Sequence, residues 1–187
     1  MNNKASKNDK SNLVPPRLVV AVYDEDFAHV LADFVEHHDW PDKTQIHLLY
    51  VVEEPSIRRV LRCSPDIAQQ IIDENDVFGN RLVRDIKKRL AKAIPHAIVE
   101  GSVETGVATE EILKKAANVS ANYIVIGSHG RLGLGSMVLG SVSLGVMMEA
   151  GCSVLVVRHP ATKAIHKSDA VLTNKDLPKQ MATYCES

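Results

Sequence analysis

The sequence predicts an α/β fold, a five-stranded parallel sheet with helices on both faces. Two observations carry that prediction. Five apolar runs of strand length alternate with four segments whose apolar residues recur at helical spacing, a pattern that returns each strand to the same sheet in the same direction. The first of those runs is continuously apolar instead of alternating with polar residues, as expected of a strand covered on both faces.

Arg17–Val22 is that first run, and Tyr23, Asp24, Glu25 and Asp26 interrupt it where a helix would begin. Phe27, Val30, Leu31, Phe34 and Val35 then fall at helical spacing up to His37 and His38. After a loop at Trp40–Lys43, a second strand spans Ile46–Val52 and closes at Glu53, Glu54 and Pro55. Beyond Arg58, Arg59 and Arg62, the residues Ile67, Ile71, Phe78, Leu82, Ile86, Leu90 and Ile94 define a long helix with a polar turn at Glu74-Asn75, ended by Pro95. A third strand is expected over His96–Val103, a turn at Glu104–Gly106, and a helix through Ile112, Leu113, Ala116 and Ala117. The fourth strand is expected over Asn122–Ile126, the last helix over Ser141–Ala150 and the fifth strand over Ser153–Arg158.

The expected organisation is a polar tail over 1–15, one domain over 16–160 and a second tail over 161–187. A net charge of −1 argues against a general nucleic-acid binder, which needs clustered Lys and Arg. No apolar run approaches the ~20 residues of a membrane span. The first twelve residues lack the apolar core of a signal peptide. Cys63, Cys152 and Cys185 are widely spaced and odd in number, which fits a reducing cytoplasm better than a disulfide framework.

Between the fourth strand and the last helix lies a glycine-rich stretch, Gly127–Ser141. A strand that passes through glycines into a helix start suits a phosphate, because bare backbone N–H groups can face the anion and the first helical turn leaves its amides unpaired. A P-loop is excluded: Gly130–Gly135 imitates its glycine spacing, but Ser136, Met137 and Val138 follow and no lysine occupies the critical place. A dinucleotide fingerprint is excluded as well: Val138 replaces its last glycine, and the loop after the first strand holds acids instead. In parallel sheets ligands bind beyond the carboxyl ends of the strands, where the strand order reverses. If the first and fourth strands are neighbours, the acids and the glycine stretch face one crevice.

The pattern that does fit is Gly-x2-Gly-x9-Gly-Ser, met by Gly127, Gly130, Gly140 and Ser141. With Val20–Val22, Leu48–Val52, Gly106–Leu113, Ile126–Gly130 and Cys152–Val157 in the same order, the chain over about 16–159 resembles the universal stress protein family. The resemblance implies an adenine nucleotide alpha hydrolase-like fold with strand order 3-2-1-4-5. It also implies a cytoplasmic stress-response or signalling module that binds ATP, with AMP or ADP as alternatives and Mg2+ accompanying the phosphates. By position, Ile126, Gly127, Gly130 and Arg131 would approach ribose and phosphates. Gly140, Ser141 and Val142 would receive phosphates at the helix start, and Val51 would meet adenine through its backbone. The family pattern places an aspartate just after the first strand; strand register puts Tyr23 there, with Asp24 and Asp26 as the alternatives and Asp24 favoured. The resemblance further implies a homodimer, for which the apolar edge strand 153–158 is the natural joint.

Ser141 has two readings, a helix cap or a hydroxyl donor to a phosphate oxygen. Gly145 inside the last helix costs roughly 1 kcal/mol against alanine, which predicts a less rigid helix there. His129 is expected in a solvated loop, and the adjacent His37 and His38 cannot share one helix face as metal ligands. Cys152 is read as a small apolar residue without a histidine partner. Slow ATP hydrolysis or autophosphorylation, with Ser141 or a nearby hydroxyl as acceptor, finds no lysine, base or arginine finger to support it. A nucleotide-free interaction protein is the other alternative.

Overall fold

The computed structural model describes residues 14–53, 65–128 and 139–158. In chain order the elements are β1 (Arg17–Val22), α1 (Glu25–Glu36), β2 (Gln45–Val52), α2 (Pro65–Ala93), β3 (Ile98–Thr105), α3 (Ala108–Asn118), β4 (Tyr123–Gly127), α4 (Ser141–Glu149) and β5 (Ser153–Val157). The strands form one sheet in the order β3-β2-β1-β4-β5, and every pair is parallel. The expected architecture is therefore present, and β1 and β4 are neighbours.

Strand alternation sorts the core into two layers. Leu18, Val20 and Val22 of β1 face α1 and α2, packing with Leu31, Val35, Leu82, Ile86 and Leu90. Val19 and Ala21 face the other way, packing with Ile112 and Ala116 of α3 and Val146 of α4. Burial on both sides explains the unbroken apolar run of β1, and each fully buried Leu or Val stabilises by roughly 1.5–3 kcal/mol.

Glycines set how closely α2 approaches the sheet. A Cβ on Gly79 would run into the ring of Tyr50 on β2, and one on Gly101 of β3 would run into Val83 of α2. At the far end of α2, the Arg89 guanidinium reaches α1, donating to both carboxylate oxygens of Glu36 at 2.8 and 2.9 Å and to Asp33.

The sheet holds one buried histidine, His47 of β2. Its Nδ1 lies 3.3 Å from Glu100 Oε2 on β3, and its Nε2 is buried without a hydrogen-bond partner among the described residues. Burial pushes this imidazole below its usual pKa; Glu100 opposes the shift, while Lys115 and Arg17 reinforce it.

Several strand boundaries shift from the sequence reading. His96 and Ala97 belong to a turn, in which Ala97 N–H bonds Ile94 and His96 C=O accepts from Lys43. β3 thus starts later and runs to Thr105, paired with β2 as far as Val52. Helix α2 runs through Glu74 and Asn75 as the one long helix expected. Gly127 is the last residue of β4 and pairs with Val157 of β5.

Candidate functional site

Order reverses in the sheet between β1 and β4, whose chains leave in opposite directions across its faces. Such a switch point opens a crevice at the carboxyl ends of the two strands. Among the described residues three parts bound it: Tyr23 and Asp24 after β1, the end of β2, and Ser128 at the exit of β4 with the start of α4.

On the β1 side the carboxylate is engaged. Asp24 has extended backbone and is the N-cap of α1, its Oδ1 accepting from Phe27 N–H at 2.7 Å. Glu25 and Asp26 fill the first turn of the same helix, where acids complement the positive end of the peptide dipoles. Tyr23, at the position where the family pattern has aspartate, turns its ring toward Phe27, with centroids 5.1 Å apart. Burial, reinforced by the charge of Asp24, pushes its phenol far above the ordinary range, so the ring stays neutral.

Gly127 has a packing reason of its own. A Cβ there would lie 2.7 Å from a ring carbon of Phe27 and 3.3 Å from Tyr23, so a side chain would displace both aromatics from the end of β4.

The β2 edge supplies backbone. Val52 C=O accepts from Gly106 N–H on the β3 side, so alternation turns the amide and carbonyl of Val51 toward β1. The last β1–β2 pair is Val22 with Tyr50. Continuing that register sets Val51 opposite Tyr23, just past the end of β1. Its side chain joins Ile126 and Val142 in the cluster under α3 and α4.

On the β4 side the helix start lacks a side-chain cap among the described residues. The N-cap of α4 is Gly140, which has no side chain to cap with, and no acid lies in the first turn. The first intrahelical bond is Leu144 N–H to Gly140 C=O at 2.9 Å. The amides of Ser141, Val142 and Ser143 accordingly have no carbonyl within the helix. Ser141 is the first helical residue and not the cap, which removes one of its two readings. Its side of the helix is exposed, while Val142 is half-buried.

Two residues absent from the sequence reading hold this start in place. Ser128 C=O accepts Gly140 N–H at 2.8 Å, and Ser128 N–H donates to Val157 C=O at 2.8 Å. Ser143, 2% exposed, donates its hydroxyl toward Gly140 C=O at 2.9 Å and Ser128 C=O at 3.2 Å. The available sequence signal was a serine three residues after a glycine that cannot cap. Gly145 also acquires a cause: a Cβ there would lie 3.1 Å from Thr109 of α3, so the glycine permits close approach of the two helices.

Gly130 and Arg131 lie outside the described residues, as do His129 and the arginines at 58, 59 and 62. Asp24, Val51, Ile126, Gly127, Gly140, Ser141 and Val142 are brought to one end of the sheet. Asp26 is exposed on α1. Cys152 is half-buried, and burial pushes its thiol up. Among the described residues no group of three or more His, Cys, Asp or Glu side chains is arranged to hold a metal ion. No helix among them is long and apolar enough to cross a membrane.

Against models of protein families, residues 16–158 match the universal stress protein family. The chain belongs to the universal stress protein family. Among curated members it is 27% identical over 147 residues to the universal stress protein YxiE of Bacillus subtilis, a match covering 76% of this chain and 98% of YxiE. Among solved structures, MJ0577 is similar with a TM-score of 0.64 at 24% identity, covering 79% of this chain and 98% of that one; the curated MJ0577 is from Methanocaldococcus jannaschii. A family protein of Arabidopsis thaliana, solved with AMP bound, matches with a TM-score of 0.56 at 19% identity, covering 79% of this chain and 94% of its own. At these identities the structural likeness speaks for the fold.

Proposed function

We propose that this universal stress protein is a cytoplasmic regulatory module that binds an adenine nucleotide, ATP or its mono- and diphosphate, at the β1/β4 crevice. The observation that carries the reading is the start of α4 at the sheet's switch point, where the Gly140 cap has no side chain and the amides of Ser141 and Val142 have no carbonyl within the helix. In this reading the phosphates sit on those amides and on the Ser141 hydroxyl, and adenine meets the backbone of Val51. Ile126 and Gly127 lie beneath the ribose, Gly130 and Arg131 complete the phosphate side, and Asp24 contributes only through the oxygen its cap leaves free. The AMP held by the Arabidopsis relative supports the ligand class. Each exposed helix-end charge contact is worth only about 0.3–1 kcal/mol, so the amides must act together. Mg2+ would come with the phosphates, bound mainly by phosphate oxygens and water, the usual habit of this ion.

Native mass spectrometry of the purified protein, followed by calorimetric titration with ATP and AMP, tests the reading. Co-purifying nucleotide or saturable heat supports it; a bare protein with no heat from either ligand removes it.

The protein is further read as a homodimer joined along β5, an edge strand with four half-buried apolar residues, Val154–Val157. Beside it α4 exposes Leu144, Met147 and Met148, the last at 78%. A light-scattering mass of one chain at micromolar concentration would overturn the dimer. A nucleotide-free interaction protein is favoured by one observation: the contact with Phe27 explains Gly127 without any ligand.

A further inference from the structure

We propose that Ser143 is a positioning residue of the nucleotide site, a role that rests on the adenine-nucleotide reading above. The reason lies in how α4 is attached to the sheet. Its N-cap has no side chain, so nothing at that position can orient the first turn. Orientation comes instead from the Ser128 carbonyl at the exit of β4, itself fixed to β5 through Ser128 N–H and Val157 C=O. Two donors from the helix start converge on that carbonyl, Gly140 N–H at 2.8 Å and the Ser143 hydroxyl at 3.2 Å. The same hydroxyl reaches Gly140 C=O at 2.9 Å.

One buried proton thus spans the carbonyl of the strand exit and the carbonyl of the helix cap. It fixes the angle at which the amides of Ser141 and Val142 leave the sheet while occupying neither of them. A conventional cap would consume an amide that the ligand needs. Ser143 provides the rigidity of a cap from inside the helix and leaves the amides open. Preorganisation of this kind raises affinity by lowering the ordering cost of binding.

The test uses the full chain, with AMP as the probe and amide hydrogen exchange at Gly140 as a ligand-free readout. In Ser143→Ala, protection of the Gly140 amide is expected to fall, and AMP affinity to weaken about fivefold, the scale of one neutral hydrogen bond. Ser143→Thr keeps the hydroxyl and restores both; Ser143→Val has the shape of threonine without the hydroxyl and restores neither. The threonine–valine pair carries the test if the alanine variant does not fold. Unchanged Gly140 protection or unchanged AMP affinity in a folded hydroxyl-free variant overturns the assignment. Failure of the wild type itself to bind AMP overturns the nucleotide reading, and the assignment with it.

Discussion

Two helices begin at the same end of the sheet, beside neighbouring strands, and they begin in opposite ways. Helix α1 is complete in itself: Asp24 caps it, and Glu25 and Asp26 supply negative charge to its first turn. Helix α4 has a glycine at the cap and no acid in its first turn, and its orientation depends on bonds to Ser128. The difference separates two uses of one backbone geometry. An amide satisfied by the chain's own carboxylate contributes to stability, whereas an amide left open can contribute to binding. Acids after a parallel strand are thus an ambiguous signal, since they serve a helix start as readily as a ligand.

Making α4 resemble α1 should have the largest effect. Gly140 has φ −63° and ψ 155°, a conformation open to any L-residue, so Gly140→Asp is compatible with the backbone. Its carboxylate would cap the first-turn amides and repel phosphate. AMP affinity by calorimetry is expected to fall at least about tenfold, a change of about 1.4 kcal/mol, while the melting temperature holds or rises slightly. Retained AMP affinity would place the phosphate elsewhere.

Making α1 resemble α4 is the converse. Asp24→Ala should cost about 1 kcal/mol of stability, whereas Asp24→Asn, a comparable cap, should cost little. Urea unfolding of the two variants measures the difference. An equal loss in both would mean that charge at this position matters more than the capping bond.

These two starts also mark how far the sequence could be read. The strands of the sheet interior were legible because burial on both faces leaves continuous apolar runs such as Arg17–Val22 and Ile46–Val52. β3 was placed early because it is an edge strand with Glu100, Ser102 and Glu104 along one face, so no apolar run marks its limits. The strand order came from family resemblance and not from periodicity, which carries no information about neighbours. At the site, the glycine spacing located the passage into α4. It could not reveal that Gly127 accommodates Phe27 or that Ser143 bonds Ser128, because those contacts join residues far apart in the chain or depend on the turn of the helix.

A smaller effect is expected at Gly145. Alanine there should gain about 1 kcal/mol in helix propensity and lose much of it against Thr109, 3.1 Å from the new Cβ. Gly145→Ala is expected to be more favourable in a Thr109→Ser background than alone, measured by paired urea unfolding curves. An identical effect in both backgrounds would mean that the helix contact does not limit the approach of α4.

The smallest effect spares both helix starts and serves as their control. The pKa of His47 is lowered on folding, chiefly by burial, so below its ordinary value near 6.5 the unfolded chain binds more protons than the folded one. Stability should therefore decline as pH falls from about 6.5, and His47→Gln should flatten that slope without moving AMP affinity at neutral pH. A slope unchanged by the substitution would assign the acid sensitivity to other groups.

Helix α2 has a consequence for how this molecule moves. Its Gly79 yields to an aromatic from the sheet, and the sheet's Gly101 yields to a valine from the helix. Knob and socket are thus exchanged in both directions, as in a key with teeth on each edge. Sliding by one helical turn, ~5.4 Å, would drive Tyr50 and Val83 into side chains instead of gaps. That half of the protein is locked against shear of α2 along the sheet.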